Sequence, residues 1–497
     1  MTAKLNLAEF LADPGSSSPA IIATYPLTVV SYKTLAEQVE RLSGRLGNAG
    51  LKAGECVAVV LPNSLEFIVV LLALARARLV TALVNPASKP DEIRFLIEDA
   101  QARAVVAEGE NVAAREATMG LDLPIWQPRL DAHGVVELPE LPTASRDSID
   151  TPDDDDIALF AYTTGTTGRP KCVPLTHANV VWSARNVAAH YELSSADRGL
   201  VVLPLFHGHG LIGATFSTLA SGGCVILPPR FSASNFWTMF REHHATWYSA
   251  VPTIHQVLLE RADGDDAPHS GLRFIRSCSA PLAPAILTKL ENRFGAPVVE
   301  AYGMTEAAHQ VASNPLPPLA RKPGTVGLGS GISVVDDKGN HLAANTPGEV
   351  VVRGPNVMHG YRNNPEANAA AFIDDVWFRT GDIGAIDSDG YLALTGRIKE
   401  LINRGGEKIA PAEVEAVLLG QPAVAEAAVF GVPDSKYGEE VSAAVVLKGA
   451  ATAQELQAYC RTHLADFKVP KLIHFVSAIP KNAMGKVQRR DLTGRFS

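Results

Sequence analysis

From Tyr32 onward the apolar residues fall into two kinds of run that alternate along the chain. Stretches of helical period, residues 32–49 and the strongly apolar 67–75 (FIVVLLALA), are interleaved with short continuous runs at 56–61 and 79–84. Short Val-rich runs joined by helices predict strands buried on both faces, and therefore a parallel sheet with crossover helices. The alternation continues with expected strands near 157–162, 199–203, 224–227, 272–277 and 298–301, and no repeat of solenoid period is present.

Two stretches break this pattern. Residues 138–156 are rich in Pro, Thr, Ser and Asp and end in four consecutive aspartates, the composition of a solvated linker before a strand. Residues 379–390 are dense in Gly and turn formers and lead to Gly396-Arg-Ile-Lys-Glu400. Beyond them a helix is expected at 412–419, strands at 425–430 and 441–447, and a helix at 452–464. An α+β pattern of about a hundred residues suffices for a separate lobe. The expected fold class is α/β: a large N-terminal domain of mixed, mainly parallel sheets flanked by helices, residues 1–396, and a small α+β C-terminal domain, residues 397–497.

Composition narrows the function classes. At 497 residues the chain has room for roughly three folding units of ~150 residues. Lys and Arg number 44 against 53 Asp and Glu, a net charge of −9. Such a balance excludes an extended nucleic-acid surface and leaves a local phosphate site open. Cys56, Cys172, Cys224, Cys278 and Cys460 are scattered singly, which points to a reducing compartment and not to a disulfide framework or structural zinc. The N-terminus shows no apolar leader core and the C-terminus ends Gly-Arg-Phe-Ser497, so a cytoplasmic location is expected. The apolar stretch 67–75 falls short of the ~20 residues that a membrane span requires.

The strongest chemical signal is Tyr162-Thr-Thr-Gly-Thr-Thr-Gly-Arg-Pro-Lys171, directly after an expected strand. Glycines let backbone N–H groups crowd an anion, hydroxyls add donors and a lysine adds charge, as in a phosphate-holding loop. The Walker A spacing is absent, because Lys171 follows Pro170 and precedes Cys172. Taken alone, a plain connecting turn explains the segment equally well. Further along, Glu300-Ala-Tyr-Gly-Met-Thr-Glu306 puts a hydroxyl and a carboxylate at the C-terminal end of an expected strand, where open α/β sheets bind ligands. A carboxylate beside a phosphate loop suits magnesium. Tyr361, Thr380-Gly-Asp382 and Gly396-Arg397 follow, and Pro480-Lys-Asn-Ala-Met-Gly-Lys486 places a lysine on a glycine turn. For Lys481, Arg489 and Arg490 a solvated basic surface is the expectation.

These segments, in this order from about Tyr32 to Arg490, resemble the motifs of the acyl-adenylate-forming superfamily: acyl-CoA synthetases, luciferases and peptide-synthetase adenylation domains. The resemblance implies ATP, Mg2+ and a carboxylic acid bound between a large domain and a small mobile one. It assigns Thr163, Thr164, Gly165, Thr166, Thr167, Gly168 and Lys171 to the β- and γ-phosphates, Thr305 to the α-phosphate, and Glu306 to magnesium. It assigns Asp382 to the ribose hydroxyls, Arg397 to ribose or phosphate, Tyr302 to the adenine face, and Lys399 to the hinge. Lys486 matches the lysine that reaches both the substrate carboxylate and the α-phosphate. Gly405 and Gly406 would line a tunnel for the pantetheine arm of coenzyme A, though a plain turn before the next helix explains them as well.

The acyl pocket in this superfamily lies around Leu205-Phe-His-Gly-His-Gly210, Arg276-Ser-Cys-Ser-Ala-Pro281 and residues 301–310. An amino-acid-activating relative would offer an Asp for the substrate ammonium, but Phe206 and His207 stand there. A fatty-acid relative would be apolar throughout, whereas this chain offers His207, Ser279 and His309. Buried donors need partners, and a second carboxylate on the substrate is one. The strings around Arg276, Tyr302 and Arg397 resemble oxalate–CoA ligases of the plant and fungal type. Gly303 stands where that group is expected to carry Ala, which predicts a slightly larger pocket. Malonate, a short monocarboxylic acid, loading onto a carrier protein, and luciferase-like chemistry remain the alternatives, with Met304 or Trp247 as candidate caps over a shallow pocket.

Overall fold

A computed structural model describes residues 5–145, 149–163, 170–261, 271–481 and 486–497 of the chain. Two sheets of the large domain share one core. In the first, Cys56–Val60, Val80–Leu83, Ala104–Ala107, Ile125–Trp126 and Ile157–Thr163 run parallel, and Lys171–Thr176 closes an edge antiparallel to Ile157–Thr163. The second runs in the spatial order His309–Ser313, Val298–Met304, Phe274–Ser277, Trp247–Ala250, Arg198–Leu200, Cys224–Leu227, Pro19–Thr24 and Leu27–Ser31. Its inner pairs are parallel and its two outer pairs antiparallel.

Helix Leu65–Arg76 lies in the core that these sheets share. Every residue from Phe67 to Ala75 is buried, and a helix that is apolar all round belongs in a core. Ser64 caps it by accepting a hydrogen bond from Phe67 N at 3.1 Å. Its neighbours in the cluster include Val57 and Val59 from one sheet and Val225, Leu227 and Trp247 from the other. Just before it, the Asn63 side chain donates to Leu203 O at 2.9 Å and accepts from Leu205 N at 2.8 Å, tying the start of the helix to the acyl-pocket segment.

A third, antiparallel sheet contains Ile332–Val335, Gly348–Val352, Trp377–Ile386, Phe372–Ile373 and Leu392–Arg397. The glycine-dense stretch read as turns is therefore largely a ten-residue strand, Trp377–Ile386. Its glycines serve close approach: a Cβ at Gly384 would lie 2.5 Å from Ala393 O, and the register slips between Ile383 and Gly384. The smaller C-terminal domain has its own sheet of Ile402–Arg404, Glu407–Ile409, Val424–Asp434, Gly438–Leu447 and Leu472–Phe475, over a core of Val414, Leu418, Val429, Val441 and Leu456. The last strand of the third sheet ends at Arg397 and the C-terminal sheet starts at Ile402, with only the turn Ile398–Glu400 and Leu401 between them.

Some polar expectations change. The aspartate run is anchored: Asp156 and Asp153 pair with Arg78 at 2.9 and 3.5 Å, and Asp154 accepts from Leu5 N at 3.2 Å. Lys481 and Arg489 are not a free basic surface, because Lys481 pairs with Glu426 at 2.6 Å and Arg489 with Glu400 and Glu415 at 2.9 and 2.8 Å. Trp247 is core and not a cap, fully buried and stacked on Phe274. Among the described residues no helix is long and apolar enough to cross a membrane.

Candidate active site

The two ends of the Thr/Gly loop are held side by side, because Thr163 and Lys171 are register partners of adjacent antiparallel strands. Thr164, Gly165, Thr166, Thr167 and Gly168 lie outside the described residues. Thr163 Oγ1 is buried with no hydrogen-bond partner among the described residues, an open valence at the loop's entrance. Lys171 Nζ lies 3.6 Å above the Tyr361 ring. Burial pushes its ammonium below the ordinary lysine range, Glu306 opposes that shift and Lys399 adds to it.

Glu306 stands in the turn Thr305–Ala307 that follows strand Val298–Met304, nearly buried, and its Oε1 accepts from the Tyr361 hydroxyl at 2.9 Å. The backbone of this turn is pinned from the other side: Met358 N donates to Glu306 O at 2.8 Å and the Asn356 side chain donates to Ala307 O at 3.0 Å. Thr305 is half-buried at the head of the turn. Asp382 is also buried; it accepts from the Tyr302 hydroxyl and, at Oδ1, from Arg397 Nε at 2.6 Å. Tyr302 thus has a defined partner that its sequence motif did not indicate. Burial, with Asp382 beside it, raises the Tyr302 phenol well above the ordinary tyrosine range and keeps it a donor.

Lys486 enters this group from the end of the chain. Its ammonium interacts with Arg397, Cys278, Asp382 and Glu306, and it is held below the ordinary lysine range first by loss of water and then by Arg397. Lys486 also acts on His207, whose ring is pushed down to about 4 chiefly by burial. Lys486 is therefore within electrostatic range of Asp382, Glu306 and Arg397 as well as of His207. Lys399 lies in the exposed turn Ile398–Glu400 and reaches Lys171 electrostatically. Gly405 and Gly406 form the hairpin turn between Ile402–Arg404 and Glu407–Ile409, with φ of +60° and +98° that demand glycine. Gly405 abuts Tyr437, and its N–H donates to Tyr437 O at 2.8 Å.

On the expected acyl side, the structure joins Ser279 to His209 and not to His207. His207 caps the short turn Gly208–Gly210, and its Nδ1 accepts from His209 N at 3.3 Å. It is His209 that bonds Ser279, Nδ1 to Oγ at 3.0 Å, and its Nε2 lies 2.6 Å from Ser249 Oγ. His309 stacks on His209 with centroids 5.0 Å apart and takes a hydrogen bond at Nε2 from Arg276 at 2.9 Å. His209, Ser249 and Arg276 thus join the cluster of His309 and Ser279, and motif reading had not singled them out. Three positions in or beside the cluster, Ser279, Ala308 and His309, have φ of +73°, +46° and +95°, the strained backbone that recurs at ligand sites. Gly303 does not enlarge the pocket: a Cβ there would meet His309 O at 1.8 Å, so glycine permits the irregular pairing of two strands.

The arrangement can hold a polyphosphate at Lys171, a ribose at Asp382 and a small polar acid near His209, Ser279 and His309. Glu306 fits magnesium, which keeps mostly water and phosphate ligands and needs few protein carboxylates. Among the described residues there is no group of three or more potential metal ligands.

A family model described as AMP-binding enzyme matches residues 12–362, and one described as AMP-binding enzyme C-terminal domain matches residues 413–486. The chain is 46% identical over 483 residues to the oxalate–CoA ligase of Arabidopsis thaliana, covering 94% of this chain and 93% of that one. It is 40% identical over 470 residues to the sulfoacetate–CoA ligase of Cupriavidus necator, covering 93% and 92%. The crystal structure of ATP-bound MatB from Rhodopseudomonas palustris superposes with a TM-score of 0.90 at 33% identity, covering 99% of each chain. The o-succinylbenzoate CoA synthetase MenE of Bacillus subtilis, in complex with ATP and magnesium ion, gives 0.85 at 30% identity, covering 98% and 99%.

Proposed function

The chain belongs to the AMP-binding enzyme family as an ATP-dependent, AMP-forming acid–CoA ligase, and from that premise we propose that its acid is oxalate. The observation that carries this reading is the polar end of the acyl pocket. His209, Ser279 and His309 are backed by the fully buried Arg276, and among the described residues no carboxylate pairs with that guanidinium. A buried cation without an anion is costly, and a substrate with a second carboxylate supplies the missing charge. An aliphatic tail would leave the buried guanidinium without a counter-charge. The 46% identity to the Arabidopsis oxalate–CoA ligase supports the same choice.

The proposed chemistry follows from charge. An acid attacking the α-phosphorus brings two anions together, so positioning and neutralisation provide most of the catalysis. Thr163, the Thr/Gly loop and Lys171 hold the β- and γ-phosphates, Thr305 the α-phosphate, and Asp382 with Arg397 the ribose. Glu306 would hold Mg2+, which when bound supplies positive charge to the leaving diphosphate. Lys486 screens the attacking carboxylate from the phosphate, consistent with its reach toward both Glu306 and His207. For thiolysis the C-terminal domain is proposed to turn about Lys399, between the strands that end at Arg397 and begin at Ile402.

Sulfonate, like carboxylate, is an acceptor-only tail, so sulfoacetate and malonate are the competing acids. The test is product identification after incubation with oxalate, ATP, Mg2+ and CoA. Oxalyl-CoA, AMP and diphosphate in equal amounts are expected. AMP release with malonate, sulfoacetate or acetate and none with oxalate overturns the assignment.

A further inference from the structure

We propose that Arg276 is a positioning residue that fixes the tautomers of both pocket histidines, so that the pocket presents only donors to the far end of the acid. The proposal rests on the reading of that acid as a small dianion, and it extends that reading from which residues are present to which way their protons face.

Arg276 lies mid-strand in Phe274–Ser277, fully buried, and its side chain meets four neutral groups. These are the Tyr191 hydroxyl at 2.8 Å, Ser249 Oγ at 3.1 Å, His309 Nε2 at 2.9 Å and Gln310 Oε1 at 2.9 Å. A guanidinium only donates. His309 Nε2 must therefore accept, which places the ring proton on Nδ1 and makes that nitrogen a donor. On the other arm, Ser249 Oγ accepts from Arg276, so its own proton has two possible acceptors: His209 Nε2 at 2.6 Å or Arg276 O at 3.5 Å. The shorter contact takes it. His209 Nε2 then accepts, its Nδ1–H donates to Ser279 Oγ at 3.0 Å, and the Ser279 proton is left to point onward. One cation thus polarises two relays, and both end in donors.

Two further observations agree. Burial, with the Arg276 charge adding to it, holds both His209 and His309 well below the ordinary histidine range, as neutral rings require. Gly213 makes room for the His309 ring, since a Cβ there would meet Nε2 at 2.3 Å. An imidazole kept neutral, with its tautomer set from behind, accepts a carboxylate or sulfonate. It rejects a tail of the same shape that carries its own N–H donors. Oxamate is that probe: it differs from oxalate only in having an amide where the second carboxylate stands.

The first readout is the ring nitrogens of the free, full-length enzyme labelled with 15N-histidine, with His209→Asn and His309→Asn giving the assignments. Neutral Nδ1–H tautomers at both positions near pH 7 are expected; an Nε2–H tautomer or an imidazolium at either overturns the proposal, whatever acid the enzyme uses. The second is the ratio of kcat/KM for oxalate over oxamate. Arg276→Gln should cut this ratio at least tenfold with KM for ATP unchanged, and Arg276→Lys should recover part of it. An unchanged ratio overturns the proposal. If the Arg276 variants fail to fold, Ser249→Ala cuts only the His209 relay, and must move the His209 tautomer while leaving His309 as it was. Absence of oxalate turnover in the unmodified enzyme would refute the substrate reading and leave the tautomer result to stand or fall on its own.

Discussion

The hydroxyl of Tyr361 donates to Oε1 of Glu306 at 2.9 Å. The same ring carries the Lys171 ammonium 3.6 Å above its face, so one side chain orients both a proposed magnesium carboxylate and a proposed phosphate lysine. Tyr361→Phe keeps the ring and removes the donor. A hydrogen bond to a charged group is worth about 1.5–3 kcal/mol, so adenylation should slow ~10- to 100-fold with little change in lysine placement. Single-turnover diphosphate release measures this, and a rate equal to that of the unmodified enzyme would remove Tyr361 from the site.

Gly213→Ala tests the packing behind the acyl pocket. The added methyl would lie 2.3 Å from His309 Nε2, so the buried ring must leave Arg276. Activity on a small dianion should fall by ~10²-fold or more, the cost of losing one preorganised donor, while AMP binding holds. Calorimetric titration with AMP beside steady-state rates separates the two effects.

The Thr/Gly loop, Glu306, Asp382 and Lys486 could be picked out as candidates in the sequence because each sits in a short local pattern near an expected strand or turn. The alternating strands and helices of the large domain were legible for the same reason. The acyl pocket was less so. His207 and His209 are two residues apart in a glycine-flanked segment, and the short turn Gly208–Gly210 passes into a wider helical turn at Leu211–Phe216, a phase change that periodicity does not encode. Arg276 stands between Ile275 and Ser277 in a buried strand and finds its partners 27, 33 and 85 positions away, at Ser249, His309 and Tyr191. An arginine inside a buried strand was the available signal. The long strand at 377–386 was hidden because its glycines serve close chain approach, which composition alone renders as turns.

Stability should depend on pH in two opposing ways. Burial pushes His177 and His255 down to about 4, so each stabilises the fold fully above pH 6.5 and loses that contribution as pH falls toward 4, up to about 3 kcal/mol apiece. Glu300 runs the other way: burial pushes it up to about 7, so its contribution is full below 4.5 and is lost as pH rises through 7. The histidines outnumber it, and urea midpoints should drop between pH 6.5 and 5. Glu300→Gln keeps an acceptor for Gly324 N, now at 3.1 Å. Relative to the unmodified protein it should gain up to about 3 kcal/mol between pH 5 and 8. An identical pH profile would show that Glu300 does not titrate in that window.

The two lysines near the domain junction should separate the half-reactions. Lys486→Ala removes charge from between acid and phosphate, and should lower acyl-adenylate formation ~10²- to 10³-fold while sparing thioester formation from supplied acyl-adenylate. Lys399→Pro restricts the turn Ile398–Glu400 and should leave diphosphate release intact while blocking the thioester step. Equal loss of both halves in either variant contradicts the proposed role.

The most direct test of the substrate claim is kcat/KM for diphosphate release with oxalate, malonate, sulfoacetate, acetate and a medium-chain fatty acid, each with and without CoA. The account predicts oxalate as the best substrate by at least tenfold, with sustained turnover only when CoA is present. No signal from oxalate together with efficient turnover of a monocarboxylic acid would contradict it.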